Sequence, residues 1–195
     1  MHLALSSASN QALWILMDSE GQLVDSRSSI VDDQSLMSTQ LGTLLDDLLL
    51  SNSLSLNKIH NLGVVVGPGA FTGLRMGVSF SEGLCLAQEI KKIPISSFNL
   101  VGKVYVMPLR HTKAPLMTPQ DYVTEGFESL LIKSPTEFEA ILNIPVGVAH
   151  RGFLNSHPWP SSEELAKAFR ESPKNPVEKF EITYGLTPKI FGVRS

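Results

Sequence analysis

A glycine-rich turn near the middle of the chain contains the residue types best suited to chemistry. Residues 67–75 have the sequence GPGAFTGLR, between an apolar run ending at Val66 and a segment of helical pattern. Glycine permits positive φ and close backbone approach, whereas proline fixes its own φ. A strand-to-helix turn of this kind directs free N–H groups outward at the positive end of a helix, where anions bind. The turn is therefore a candidate anion-binding site, formed by Gly67, Gly69, Thr72 and Gly73.

The same turn has a second interpretation, in which its glycines only permit a tight turn and close packing. It contains no lysine and lacks the Gly-Lys-Ser/Thr ending of a P-loop. The sequence favours the packing interpretation and leaves anion binding open.

The remaining reactive side chains form no recognisable site. The histidines have no metal-like spacing, and no GxSxG or HExxH motif is present. The single cysteine, Cys85, lies among apolar residues and is expected to act as a small buried hydrophobe. We therefore predict no catalytic residue and no metal site. The histidines are His2, His60, His111, His150 and His157.

Strands and helices that position the turn are visible in the hydrophobic pattern. Three strands with tight connections indicate an antiparallel meander, and a leucine-rich helix with three- and four-residue spacing follows. A fourth strand leads into the turn, and a second helix and a fifth strand come after it. The strands are expected at 3–7, 12–17, 22–30, before 67 and 93–96, and the helices at about 36–51 and 73–89.

The second helix carries small residues at a spacing of four, namely Gly73, Gly77 and Ser81. A glycine inside a helix costs about 1 kcal/mol relative to alanine, so a packing reason is expected. The helix pair either docks a partner or only covers the sheet. Under the docking interpretation the interface residues are Met37, Leu41, Leu45, Leu48, Gly73, Met76, Gly77, Phe80 and Leu84.

Beyond residue 100 prolines recur and the strand candidates are short. Ser161 precedes Glu164 by three residues, which predicts a capping box at the start of a helix over 161–170. No internal repeat is evident. We predict an α/β protein with a first subdomain at 1–100 and a reduced second subdomain at 101–195, whose C-terminal tail packs back.

Composition and charge exclude some classes of function. A net charge of −3 gives no support for a basic nucleic-acid-binding face. No apolar run approaches the roughly 18 residues of a membrane helix. The first residues lack the basic region of a secretory signal, so we expect a cytoplasmic protein.

The segment GPGAFTGLRMGVSFSEGLCLA resembles the signature of the bacterial TsaB (YeaZ) family, which usually shows GPGSFTGLRIG before a small-residue helix. Residues 44–77 resemble the same family almost element for element, and the final TPKIFGVRS resembles its ending. The resemblance implies a ribonuclease-H-like half-domain of the actin/Hsp70/acetate-kinase superfamily. It covers residues 1–100 well, whereas residues 100–180 match poorly.

Two positions depart from the family pattern. Ser6 stands where the family commonly has an aspartate at the end of the first strand, and Met37 where a histidine often opens the first helix. In ATP-using members of the superfamily, a carboxylate at that strand end helps to organise the metal and the phosphates. The chain is therefore expected to perform no phosphoryl chemistry by itself.

The resemblance implies a non-catalytic scaffold subunit that pairs with a TsaD-like catalytic homologue in forming threonylcarbamoyladenosine on tRNA. A TsaE-like ATPase would join, and ATP or ADP and metal would bind to the partner subunits rather than strongly to this chain alone. A homodimer through the same helices is expected, with only indirect contact to tRNA and none to a membrane. The alternatives are a small nucleotide- or anion-binding enzyme, and a diverged paralogue that serves another protein partner.

Overall fold

The computed structural model describes residues 1–31, 33–67, 69–101 and 160–183, and four short strands between residues 105 and 148. Its first sheet has five strands in the order β3-β2-β1-β4-β5. The first three strands are antiparallel, whereas β4 and β5 run parallel to β1. This is the predicted ribonuclease-H-like arrangement, and the predicted meander is confirmed. The strands are β1 (His2–Ser6), β2 (Gln11–Met17), β3 (Leu23–Ile30), β4 (Asn61–Gly67) and β5 (Lys91–Ser96).

Two helices connect these strands. Helix α1 (Met37–Ser51) joins β3 to β4, and α2 (Phe71–Ala87) joins β4 to β5. A 3₁₀ turn at Gln34–Leu36 precedes α1, where the Asp33 carboxylate accepts the Ser35 N–H at 2.9 Å. Neither helix has an N-terminal capping hydrogen bond from the side chain of its N-cap residue. The predicted helices therefore exist, although α2 begins at Phe71 rather than at residue 73.

Apolar side chains alternate between the two faces of the sheet and create two cores. Leu5 and Trp14 pack with α1 on one face, whereas Leu13 and Ile15 belong to the core on the opposite face. Two further helices, α3 (Phe98–Val101) and α4 (Ser162–Glu171), cover that opposite face. The central parallel strand β4 is buried on both faces, which explains its continuous apolar sequence.

Helix α4 shows the predicted capping box. The Ser161 hydroxyl accepts the Glu164 N–H at 3.3 Å, and the Glu164 carboxylate accepts the Ser161 N–H at 2.8 Å. Phe169 of this helix packs over β4 at Gly63, where a Cβ would lie only 2.6 Å from the Phe169 ring. A helix from beyond residue 160 thus completes the core of the first sheet. The division at residue 100 stays a prediction, with the first core drawing on both sides of it.

A second, four-stranded sheet has the order β8-β7-β6-β9. Its strands pair antiparallel from β6 to β8, and β9 runs parallel to β6. This pattern repeats the order and directions of β3-β2-β1-β4, although the sequence shows no internal repeat that would have indicated it. The four strands are β6 (Tyr105–Val106), β7 (Ala114–Met117), β8 (Glu128–Leu130) and β9 (Gly147–Val148). The predicted tail from residue 184 onward, with its TPKIFGVRS ending, lies outside the described residues.

Candidate docking surface and glycine turn

The glycine turn begins with a backbone conformation that only glycine adopts easily. Gly67 has φ +115°, in the region that L side chains rarely occupy. The pairing of β4 with β5 shifts register between Val65 and Gly67, and the Gly67 carbonyl accepts the Ser97 N–H at 2.9 Å. The turn is therefore anchored to the end of the neighbouring strand.

The next glycines pack against the loop between β1 and β2. A Cβ at Gly69 would lie 2.6 Å from the Ala8 carbonyl oxygen, and one at Gly73 would overlap the Ser7 carbonyl. The Ser7 hydroxyl donates to the Gly73 carbonyl at 2.8 Å, and the Ala70 N–H donates to the Ala8 carbonyl at 2.7 Å. The small-residue stripe thus accommodates the chain's own backbone.

This packing bears on the candidate anion site at Gly67, Gly69, Thr72 and Gly73. The Ser7 and Ala8 carbonyl oxygens face the turn, and carbonyl oxygens do not attract anions. Of the four candidate residues only Thr72 is exposed. The geometry favours the packing interpretation, while anion binding stays an untested prediction.

The end of β1 carries no charged group. Ser6 is fully buried, and its hydroxyl has no hydrogen-bond partner in the described part of the chain. Among the residues that the structure describes, no three His, Cys, Asp or Glu side chains form a group that could hold a metal. That the chain supplies no metal or phosphate chemistry stays a prediction.

The predicted interface residues divide into two sets. Six are buried inside the chain: Met37, Leu41, Leu45 and Leu48 of α1, and Gly73 and Gly77 of α2. Met76, Phe80 and Leu84 of α2 are half-buried and pack only partly against the core. In the single chain, therefore, only the second set offers side-chain surface to a partner.

Two small residues outside the predicted interface set complete this outward surface. Gly42 of α1 lies beneath Phe80, with 3.9 Å between a Cβ built there and the ring. Gly83 is exposed, and a Cβ built on it would meet nothing within 4 Å. We call Gly42, Met76, Phe80, Gly83 and Leu84 the outward seam. The sequence held a signal for Gly83, which follows Phe80 by three residues on the same helix.

Trp14 supports the seam from below. Its indole N–H donates to the Leu41 carbonyl at 3.0 Å, and its ring meets Phe80 edge-on with 6.1 Å between centroids. Buried aromatic pairs of this kind add to burial and fix ring orientation. Phe80 is thereby held between α1 and the sheet with one side free.

Burial shifts the pKa values of two further titratable residues, Cys85 and His2. Burial raises the pKa of the Cys85 thiol to about 11, so the thiol is protonated at neutral pH, as expected for a small hydrophobe. Burial also lowers the pKa of His2, whose ring contacts the Ser19 carbonyl, Asn61 and Phe169. His60 is exposed, and His111, His150 and His157 lie outside the described residues.

Comparisons with known proteins match the region of the two helices and the turn. A family model described as "TsaD: tRNA N6-adenosine threonylcarbamoyltransferase" matches residues 34–119. The tRNA threonylcarbamoyladenosine biosynthesis protein TsaB of Haemophilus influenzae is 33% identical over 60 residues, which are 31% of this chain and 25% of that protein. Its Escherichia coli counterpart of the same name is 37% identical over 54 residues, which are 28% of this chain and 23% of that protein.

Solved structures extend the likeness of fold to most of the chain. YeaZ from Pseudomonas aeruginosa superposes with a TM-score of 0.59 at 17% identity, over 86% of this chain and 90% of that one. A second structure, titled as an uncharacterized protein with similarity to peptidase YeaZ from the same organism, has a TM-score of 0.57 at 17% identity, over 85% and 88% of the two chains.

The chain is therefore similar in sequence to TsaB proteins over part of its length and similar in fold to YeaZ. The sequence match to the curated TsaB proteins spans only about a quarter of their length, 25% and 23%. The fold resembles that of YeaZ, in agreement with the predicted α/β fold class. Within the described ranges, none of the helices has the length and hydrophobicity of a membrane span.

Proposed function

We propose that this chain is a TsaB-like, non-catalytic scaffold subunit in the formation of threonylcarbamoyladenosine on tRNA. It pairs through the outward seam of α1 and α2 with a TsaD-like threonylcarbamoyltransferase. The observation that carries the proposal is a row of half-buried apolar side chains, Met76, Phe80 and Leu84, beside the open Gly83. This row lies in the segment that matches the TsaD family model.

The side chains of Met76, Phe80 and Leu84 are only partly buried in the single chain. Fully burying a Met, Leu or Phe side chain stabilises by about 1.5–3 kcal/mol relative to leaving it exposed. A facing helix pair would bury the surface of Met76 and Phe80 that the chain itself leaves free. Gly83 lacks a side chain and has open space above it, so a facing helix can approach closely there.

A homologous partner suits this surface because related helices present related shapes. The TsaD family model matches residues 34–119, which include both α1 and α2. A TsaD-like protein would therefore supply a corresponding helix pair, and the two pairs together would form a four-helix arrangement. A homodimer through the same seam follows from the same complementarity.

The chemistry is assigned to the partners. Ser6 cannot supply the carboxylate that organises a metal with phosphates, so ATP or ADP and the metal would bind to the TsaD-like protein and to a TsaE-like ATPase. The transfer to adenosine would take place on the TsaD-like subunit in the cytoplasm, and this chain would meet tRNA only indirectly.

Co-purification with the TsaD-like protein of the same organism tests the pairing. The wild-type chain should be retained with the tagged partner in the presence of ATP, whereas Met76→Asp and Phe80→Asp should lose association because each places a carboxylate in an apolar contact. Leu86→Asp is the matched control, because Leu86 lies on α2 but is 84% exposed and outside the seam. Its variant should associate normally.

The competing functions give different outcomes. Loss of association in Leu86→Asp as well as in the seam variants, or retention in all of them, would contradict docking through the seam. If the wild type does not associate but binds or hydrolyses ATP alone, the small-enzyme alternative is correct. If it does neither, the diverged-paralogue alternative remains. In reconstituted reactions, threonylcarbamoyladenosine should form only when this chain and its partners are all present.

A further inference from the structure

The segment that follows α4 crosses from one face of the first sheet to the other. Helix α4 packs on the face of Leu13 and Ile15, whereas Val177 and Phe180 pack with the core on the α1 face. Between them, the Val177 N–H donates to the Lys92 carbonyl of the edge strand β5 at 3.0 Å. Residues 177–183 therefore wrap around the β5 edge.

This segment contacts the turn that precedes α2 and the second half of the helix. The Thr183 N–H donates to the Val66 carbonyl at 2.8 Å, and the Thr183 carbonyl packs directly against Gly67 in the turn that leads into α2. Further back, the Phe180 N–H donates to the Glu82 carboxylate at 2.7 Å in the second half of α2. One short segment thus bridges the beginning and the later turns of the helix.

A partly buried ion pair lies at the crossing point. Lys92 Nζ lies 2.5 Å from Glu82 Oε2 and also donates to the Glu178 carbonyl at 2.7 Å. The two side chains are only 13% and 21% exposed, against 65% and 54% for the Lys167–Glu171 pair on α4. Removing one partner of a shielded pair leaves the other charge uncompensated, whereas exposed pairs contribute little.

We propose that residues 177–183 form a strap that holds α2 against the sheet, with Glu82 and Lys92 as its latch. When the latch is broken, the strap lifts from β5 and α2 loosens, while the central strands stay folded. The strap then exposes Phe180, which is 2% exposed in the closed state. The strap and its latch act within the isolated chain, whether or not a partner docks.

Cys85 provides a natural reporter of strap opening. It is the single cysteine of the sequence and lies nearly one turn after Glu82 on α2. Burial raises the pKa of its thiol to about 11, which leaves almost no thiolate for reaction at pH 7. Opening restores access and moves the pKa toward the ordinary value of about 8.5, so modification by an aromatic disulfide reagent accelerates.

The experiment compares Glu82→Gln and Lys92→Met with the control Glu171→Gln. In both latch variants we expect Cys85 modification and amide exchange at Phe180, Thr183 and α2 to accelerate by about tenfold or more, because hydrogen bonds to a charged group are lost. Glu171→Gln should behave like the wild type. Amides of β2 serve as an internal reference for global unfolding and should remain protected.

Each other outcome overturns the proposal. Unchanged Cys85 reactivity and exchange in the latch variants would show that Glu82 and Lys92 do not hold the strap. Faster exchange in the strap with unchanged α2 would show that the strap does not hold the helix. Equal acceleration in β2 would show that the strap is no separate unit.

The double variant Glu82→Lys with Lys92→Glu restores opposite charges and should recover part of the protection lost in each single variant.

Discussion

The two sides of α2 use small residues in opposite ways. On the inner side, Gly73 and Gly77 are buried against Ser7, whose carbonyl and hydroxyl occupy the space that a side chain would need. On the outer side, Gly83 has nothing within 4 Å of a built Cβ and continues the row of Met76 and Phe80. A small-residue stripe therefore marks close packing, and only the surrounding structure shows whether the neighbour is internal or external.

The same division applies to α1. Its buried leucines face Trp14 and the sheet, so in the single chain this apolar stripe forms part of the core, and its role in docking stays a prediction. Within the outward seam, α1 contributes Gly42 beneath Phe80. The following predictions test this inner and outer division, beginning with the largest expected effect.

Truncating an inner leucine should be the most destabilising of these changes. Leu41→Ala is expected to lower the free energy of unfolding by about 2–5 kcal/mol, because Leu41 is fully buried and a cavity would remain. Leu50→Ala on the same helix is the control; Leu50 is 76% exposed, so its change should stay within about 0.5 kcal/mol. Denaturant unfolding measures both. A nearly neutral Leu41→Ala would place that residue on the outer side.

Adding a methyl group to the inner stripe should cost somewhat less. Gly73→Ala is expected to lower the free energy of unfolding by about 1–3 kcal/mol, since the methyl group would overlap the Ser7 carbonyl and backbone yields poorly. The same denaturant measurement applies. Unchanged or increased stability would show that the loop after β1 is free to move away, and the inner side of α2 would then be open after all.

Much of the first sheet could be predicted from the sequence, because local patterns determine it. The alternation in β2, the leucine spacing of α1 and the Ser161–Glu164 capping box each indicated an element that the structure contains. Topology followed from strand order, since an antiparallel meander followed by two helix-connected strands leaves few arrangements.

The candidate site was less predictable because it depends on contacts between distant segments. Nothing near Gly73 in the sequence indicates that Ser7 fills its stripe, and nothing near Gly63 indicates that Phe169 lies above it. The Lys92–Glu82 pair likewise becomes visible only when β5 and α2 are placed side by side. Periodicity shows that a residue has an apolar neighbour, without showing which segment supplies it.

The contribution of Glu82 to the free energy of unfolding should be smaller and should depend on pH. Burial opposes ionisation of Glu82, but the hydrogen bonds from Lys92 and the Phe180 N–H outweigh it and hold the pKa of this carboxyl below its usual 4.5. The unfolded chain therefore binds a proton before the folded one does as the pH falls. The stability that Glu82 contributes is complete above pH 4.5 and is lost as the pH falls through the folded-state pKa.

Comparing the wild type with Glu82→Gln isolates this contribution. The wild type should be more stable by about 1 kcal/mol at pH 7, because the pair is partly screened by water, and the difference should vanish at low pH. Asp25, whose pKa is lowered first by the Asn52 amide, remains in both proteins and cancels. Denaturant unfolding at several pH values measures the difference, and a constant difference would exclude the carboxylate as its source.

The smallest effect on stability should come from the outer side, where the same glycine-to-alanine change has the opposite sign. Gly83→Ala should raise the free energy of unfolding by about 0.5–1 kcal/mol, because alanine favours the helix and the added methyl group meets open space. If a partner helix approaches at Gly83, that methyl group should nonetheless weaken association with the TsaD-like protein. A variant that is both more stable and weaker in association would separate the outer side from the inner one directly. Unchanged association would show that the partner contacts Met76 and Phe80 without approaching Gly83.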